Sequence, residues 1–186
     1  MSSLSETARL FLNSMLSENM SLAYFLGVLF MMVEADSIPI TAVKGLKYVS
    51  TIFVINVLGW FMNNLHSAAY DSFNPAIFFL TTIVGIIILK KWIGLEGDWF
   101  GLPRFIIALG PLFGSQLLIQ SGGYNYAGMM TVNTAYVLGS YVLFVLIASI
   151  KEEIIVSDAA PVFKSYSTLI AAVAMLALGV VSFQLL

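Results

Sequence analysis

Residues 7–33, TARLFLNSMLSENMSLAYFLGVLFMMV, are apolar over a length that would cross a bilayer, yet they carry Ser17-Glu18-Asn19 near the middle. A spanning helix needs about 20 consecutive, mostly apolar residues. The clean run after Asn19, Met20–Val33, makes only about 21 Å of helix at 1.5 Å per residue, short of a hydrocarbon core of about 30 Å. The stretch therefore predicts a membrane helix broken at Glu18-Asn19, with Asn19 placed to cap its second half. A carboxylate at a span centre costs about 2.5–3.5 kcal/mol on insertion scales. Glu18 must then face a cavity or a partner, or the first turns lie in the interface and leave it wet.

The rest of the chain agrees with a bilayer as solvent. Hydrophobic residues make up 60% of its 186 positions and charged ones 10%, against about 45–50% apolar in soluble domains, and the mean hydropathy is +0.96. No composition break divides it, so residues 1–186 are expected to form a single integral membrane domain. Five further apolar runs follow the first: Gly45–Met62, Pro75–Ile93, Leu102–Ser121, Ala127–Ile150 and Phe163–Leu186. The gaps between runs hold charge, Gly, Pro or Asn, such as Glu34-Ala35-Asp36-Ser37-Ile38-Pro39 and Glu96-Gly97-Asp98, which are loop signals. The expected fold is all-α and polytopic, with six transmembrane helices.

Orientation follows from the basic residues. Lys44, Lys47, Lys90, Lys91, Arg104, Lys151 and Lys164 fall in the gaps after spans 1, 3 and 5, leaving Arg9 alone on the other side. By the positive-inside rule those three gaps are cytoplasmic and both termini face outward. Trp60, Trp92 and Trp99 fall near expected span ends, where indole rings favour the interface. The first span of each group of three is irregular, because span 4 contains Gly110-Pro111 and Gly114-Ser115-Gln116, and Pro removes a backbone donor and crowds the preceding turn. Broken helices at matching positions of two halves point to an inverted 3+3 repeat with its site at the midplane.

Three segments, in order along nearly the whole chain, resemble the integral membrane subunits of the Rnf and Na+-pumping NADH:quinone oxidoreductase (Nqr) complexes. They are Asn19-Met20-Ser21-Leu22-Ala23-Tyr24-Phe25-Leu26-Gly27, Gly110-Pro111-Leu112-Phe113-Gly114-Ser115-Gln116, and Ile150-Lys151-Glu152-Glu153-Ile154 continued by Asp158, Pro161, Phe163 and Lys164. The resemblance implies a prokaryotic inner-membrane subunit of an electron-transfer complex that moves Na+ or H+, paired with a homologous six-helix subunit and other membrane subunits. The chain departs from the family at the cofactor. Where the family has cysteines for an iron–sulfur centre, this chain has Leu29 and Leu117, and it contains no Cys at all. It can donate no thiolate, so the family's cluster is not expected to be held here. The expected role is a non-catalytic subunit of such a translocase; the rival is a standalone transporter or channel subunit of the same fold without redox chemistry.

Candidate ion-path residues are the polar side chains within the spans: Glu18, Asn19, Asn56, Gln116 and Asn133. Buried amides either hydrogen-bond across helices or line a hydrated path, and structural bonding is the favoured expectation for Asn56, Gln116 and Asn133. Ser167, Ala171 and Ala174 share one face of span 6 and suggest close helix packing. Lys151-Glu152-Glu153 suggests a solvated helix end. His66 is the single histidine, with no second ligand near it in sequence, so no metal site is expected. No nucleophile with a partner base, phosphate-cradling Gly loop or basic patch for nucleic acid is discernible.

Overall fold

A computed structural model describes residues 2–16, 18–19, 21, 27–65, 74–95, 97–99, 101–157 and 166–182. Among the described residues the secondary structure is helical apart from one two-residue ladder. The helices are α1 (Ser2–Met15), α2 (Val28–Glu34), α3 (Ile38–Leu65), α4 (Asn74–Ile93), α5 (Arg104–Ser121), α6 (Tyr126–Val156) and α7 (Tyr166–Ser182). Strands β1 (Asp98–Trp99) and β2 (Leu102–Pro103) pair antiparallel, with Asp98 opposite Pro103 and Trp99 opposite Leu102. Gly101, at φ 78°, makes the tight turn between them, in a conformation that only glycine adopts without cost.

Three helices are long and apolar enough to cross a membrane, over Ile38–Asn64, Pro75–Ile93 and Tyr126–Val156, and Ser167–Gly179 is a shorter apolar helix. The first expected span is divided, since α1 stops at Met15 and Asn19 lies outside any helix, but its expected second half, Met20–Val33, is not one helix: Gly27, at φ 87°, interrupts it, and α2 starts only after it. The expected break in span 4 is not observed. Helix α5 runs without interruption from Arg104 to Ser121 with Pro111 inside it. Proline is tolerated there because Pro111 is buried among neighbouring helices, the setting in which membrane helices accommodate a lost backbone bond. Span 4 also starts later than expected, since Leu102 and Pro103 belong to β2. Helices α3 and α6 are longer than their apolar runs, extending to Ile38 and Val156 into charged sequence.

Helix α3 is the centre of the bundle and packs on α4, α5 and α6, while α1 lies along α6. The core between them holds Phe30, Met31 and Met32 of α2, Tyr48, Ile52 and Ile55 of α3, Leu89 of α4, Leu112 of α5, and Phe144 and Ile147 of α6. Tyr48 stacks on Phe30 at 4.5 Å between centroids and meets Phe144 edge-on at 5.9 Å. At three helix contacts glycine leaves room that a side chain would fill: a methyl on Gly85 would strike Ile55, one on Gly59 would strike Gln116, and one on Gly139 would strike Asn19 and the Met15 carbonyl. In α7 the buried stripe is Leu169, Val173 and Ala177. That corrects the expected face, for Ser167 and Ala171 are exposed and Ala174 is half-buried. The buried row is an i, i+4, i+8 stripe on one helix face, and its Leu169 and Val173 bury more apolar area than Ser167 or Ala171 could.

Candidate functional site

The candidate residues do not meet at one point; they divide into three polar seams where helices cross. At the first seam the broken segment lies on α6. Asn19 is fully buried. Its Nδ2 donates to the Tyr136 carbonyl at 3.3 Å and its Oδ1 accepts the Ser21 backbone N–H at 2.9 Å, the bond of a capping residue. The Ser21 and Ser140 hydroxyls are 3.0 Å apart. Gly139 provides the space for the Asn19 side chain and the Met15 carbonyl.

The second seam joins α3, α5 and α6. Asn56 Nδ2 donates to Asn133 Oδ1 at 2.9 Å, Asn133 Nδ2 donates to the Phe53 carbonyl at 3.1 Å, and Ser115 Oγ donates to Asn56 Oδ1 at 2.8 Å. All three side chains are buried. The third seam joins α4 and α5 around Gln116, which is 2% exposed. Thr81 Oγ1 donates to Gln116 Oε1 at 2.5 Å, and Gln116 Nε2 faces Thr82 Oγ1 at 3.0 Å and the carbonyls of Leu112 and Phe78 at 3.1 and 3.3 Å. Acceptors surround the nitrogen and a hydroxyl faces the oxygen, which fixes the orientation of the amide. Asn19, Asn56, Gln116 and Asn133 are therefore all engaged in bonds between elements. Their oxygens are hard ligands of the kind Na+ takes, but a cation passing here would have to displace bonds already made.

Glu18 is placed differently from these four. It is exposed, and its backbone N–H donates to the Asn13 carbonyl at 2.8 Å. Gln116 makes its bonds to α4 and its own helix. Leu29 and Leu117 are 48% and 42% exposed, pointing out of the bundle.

Between the seams, Gly27 packs on α5. A methyl on Gly27 would lie 2.6 Å from Tyr48 Oη and 3.0 Å from Pro111 Cβ. Among the described residues the Tyr48 hydroxyl, buried there, has no hydrogen-bond partner, and it lies beside a proline that leaves a carbonyl one turn back without its usual donor.

A charged cluster closes one end of the bundle. Glu34 is 2% exposed, with Arg104 Nη1 at 3.4 Å and Lys44 Nζ at 3.6 Å, and Lys44 also pairs with Asp36 at 2.6 Å. Lys151 Nζ donates to the Ala35 carbonyl at 2.5 Å, ending α2, and Glu152 Oε1 accepts the Ile38 N–H at 2.8 Å, starting α3. Lys151-Glu152-Glu153 is thus more than the solvated helix end expected, because two of its side chains satisfy the orphaned backbone groups of neighbouring helices.

Sequence reasoning passed over Thr81, Thr82, Ser115, Ser140, Tyr48 and the Glu34–Arg104 pair. The four hydroxyl residues stand inside apolar runs and carried a usable signal; Glu34 and Arg104 lie 70 positions apart and carried none. Among the described residues, no group of three His, Cys, Asp or Glu side chains could hold a metal ion. His66 and Asp158, Pro161, Phe163 and Lys164 lie outside the described residues. No protein-family model matches the chain, and comparison with curated proteins finds no match.

Proposed function

We propose that the chain is an integral membrane subunit of an ion-translocating electron-transfer complex of the Rnf/Nqr type, serving as a scaffold that contributes no cluster ligand. The observation that supports this reading is the meeting of two of the segments that carry the resemblance. Gly27, the last residue of the Asn19–Gly27 stretch, packs against Pro111 of the Gly110–Gln116 stretch, while Asn19 and Gln116 anchor the two stretches to α6 and α4. Residues distant in sequence thus converge, with two of the resembling stretches in direct contact. In this reading α1 and α2 form one broken span, α3 to α7 form five more in a 3+3 arrangement, and both termini face outward. Leu29 and Leu117, half-exposed on α2 and α5, face the homologous partner subunit. Coupling to Na+ or H+ belongs to the same proposal.

A standalone transporter or channel subunit is the second reading. It is favoured by the bonded amide seams, which need no redox partner, and by Leu29 and Leu117 in place of thiolates. Purification in mild detergent separates the two. The first reading expects flavin- and iron-bearing subunits to copurify in fixed ratio; a homo-oligomer without them refutes it and supports the second.

A further inference from the structure

We infer that the groove between the start of α3 and the end of α4 is a binding site for an anionic phospholipid, with its phosphate on Lys47 and Lys90. The groove, about 430 Å³, is lined by Pro39, Ile40, Val43, Lys44 and Lys47 of α3 and by Trp92 and Ile93 of α4. It lies at the ends of two helices long and apolar enough to cross a membrane, so its mouth coincides with one membrane surface. The proposal rests on the chain's membrane location and on nothing else in the functional reading.

Charge accounting selects the ligand. Glu34 and Asp36 are matched by Lys44 and Arg104. Among the described residues, no carboxylate pairs with Lys47 or Lys90. Lys47 Nζ donates to the Trp92 carbonyl at 3.0 Å, which holds the amine at the groove while using one of its three donors. The α4 C-terminus opposes these two cations with a dipole equivalent to only about half a negative charge. Lys90 does not line the groove, but it is exposed and stands three positions before Ile93, a neighbour on the same side of α4, within reach of a headgroup at the groove's mouth. The remaining wall is apolar and open, with Ile40, Val43 and Trp92 each at least half-exposed. A lysine in the groove with a second close by on α4, an indole on the lining and an apolar wall leading into the membrane fit a phosphodiester headgroup with its upper acyl chain, and basic pockets between membrane helices take such headgroups. A soluble anion would use the lysines and leave the wall bare.

The test uses the full chain, purified in detergent and stripped of lipid, with native mass spectrometry counting bound lipid. The probes are dioleoyl phosphatidylglycerol, dioleoyl phosphatidylcholine and inorganic phosphate. A lysine beside an anionic headgroup is worth about fivefold in binding, so phosphatidylglycerol should be retained roughly 25-fold better than phosphatidylcholine. Lys90→Gln should lower that preference about fivefold, and Lys47→Gln with Lys90→Gln should abolish it. Arg9→Gln, on α1, should leave it unchanged, and inorganic phosphate should not displace the lipid. Equal retention of the two lipids, an equal loss in Arg9→Gln, or displacement by inorganic phosphate overturns the proposal. Resistance of the chain to alkaline carbonate extraction checks the membrane location separately, so failure of that reading and failure of the lipid site give different results.

Discussion

Replacing Gly139 by alanine tests whether the broken first segment is seated on α6 as a fixed element. The new methyl would strike the Met15 carbonyl and Asn19 Nδ2, and would lie 3.2 Å from Asn19 Cγ. Asn19 could swing away only by giving up its bond to the Tyr136 carbonyl, and Met15 offers backbone, which cannot give without moving the end of α1. Overpacking costs about 1–3 kcal/mol and a lost interhelical bond in a membrane about 0.6–1.7 kcal/mol, so Gly139→Ala should destabilise by about 2–4 kcal/mol. Asn19→Ala alone should cost about 1 kcal/mol. In the double variant the clash with Asn19 is already absent, while the clash with Met15 persists. The two costs should therefore fall short of additive by about 1 kcal/mol. Gly179→Ala is the control, because a methyl there meets nothing within 4 Å, and alanine in a helix should gain about 0.5–1 kcal/mol. The measurement is reversible unfolding in mixed micelles titrated with SDS, followed by tryptophan fluorescence. If Gly139→Ala matches wild type within 0.5 kcal/mol, about the error of such cycles, the segment does not rest on α6 and the first seam is wrong.

Asn133→Ala should cost about 1–3 kcal/mol by the same assay, since it strands Asn56 Nδ2 and opens a cavity; a neutral effect would mean that water already fills the seam. Glu34→Gln leaves Arg104 and Lys44 without their buried partner. Those cations are 36% and 25% exposed, so the loss should be about 2 kcal/mol rather than the 3–5 kcal/mol of a fully enclosed pair, and no loss would place the carboxylate in solvent. Single cysteines at Ser3 and Ser157, labelled in intact cells with an impermeant thiol reagent, should react at Ser3 only; the reverse pattern inverts the orientation. In proteoliposomes Glu18→Gln should leave any ion flux within about twofold of wild type, because ionisable residues of an ion path face the bundle interior or a cavity whereas Glu18 lies exposed, apart from the buried polar seams, and a larger fall would return Glu18 to the path.

The sequence by itself determined what depends on local runs of residues. Pro75–Ile93 became α4 almost residue for residue because its apolar run is bounded by helix-breaking and charged sequence. The break at Glu18-Asn19 was legible because Met20–Val33 is too short to cross a bilayer and Asn caps a helix better than it extends one. The strength of a break was not legible: Pro111 suggested an interruption, and only the packing around α5 decided that the helix continues. Which polar residues pair was likewise beyond sequence. Asn56 with Asn133, Gln116 with Thr81 and Thr82, and Glu34 with Arg104 join positions tens of residues apart, and a partner chosen by helix crossing leaves no mark on the run that contains it. Exposure divides Glu18 from Asn19, adjacent in the chain, because both lie beyond the end of α1 and the irregular backbone there turns Asn19 onto Tyr136 of α6 while leaving Glu18 exposed. Chemistry that rests on spacing can be read along the chain, whereas chemistry that rests on which surfaces face one another exists only once the helices have packed.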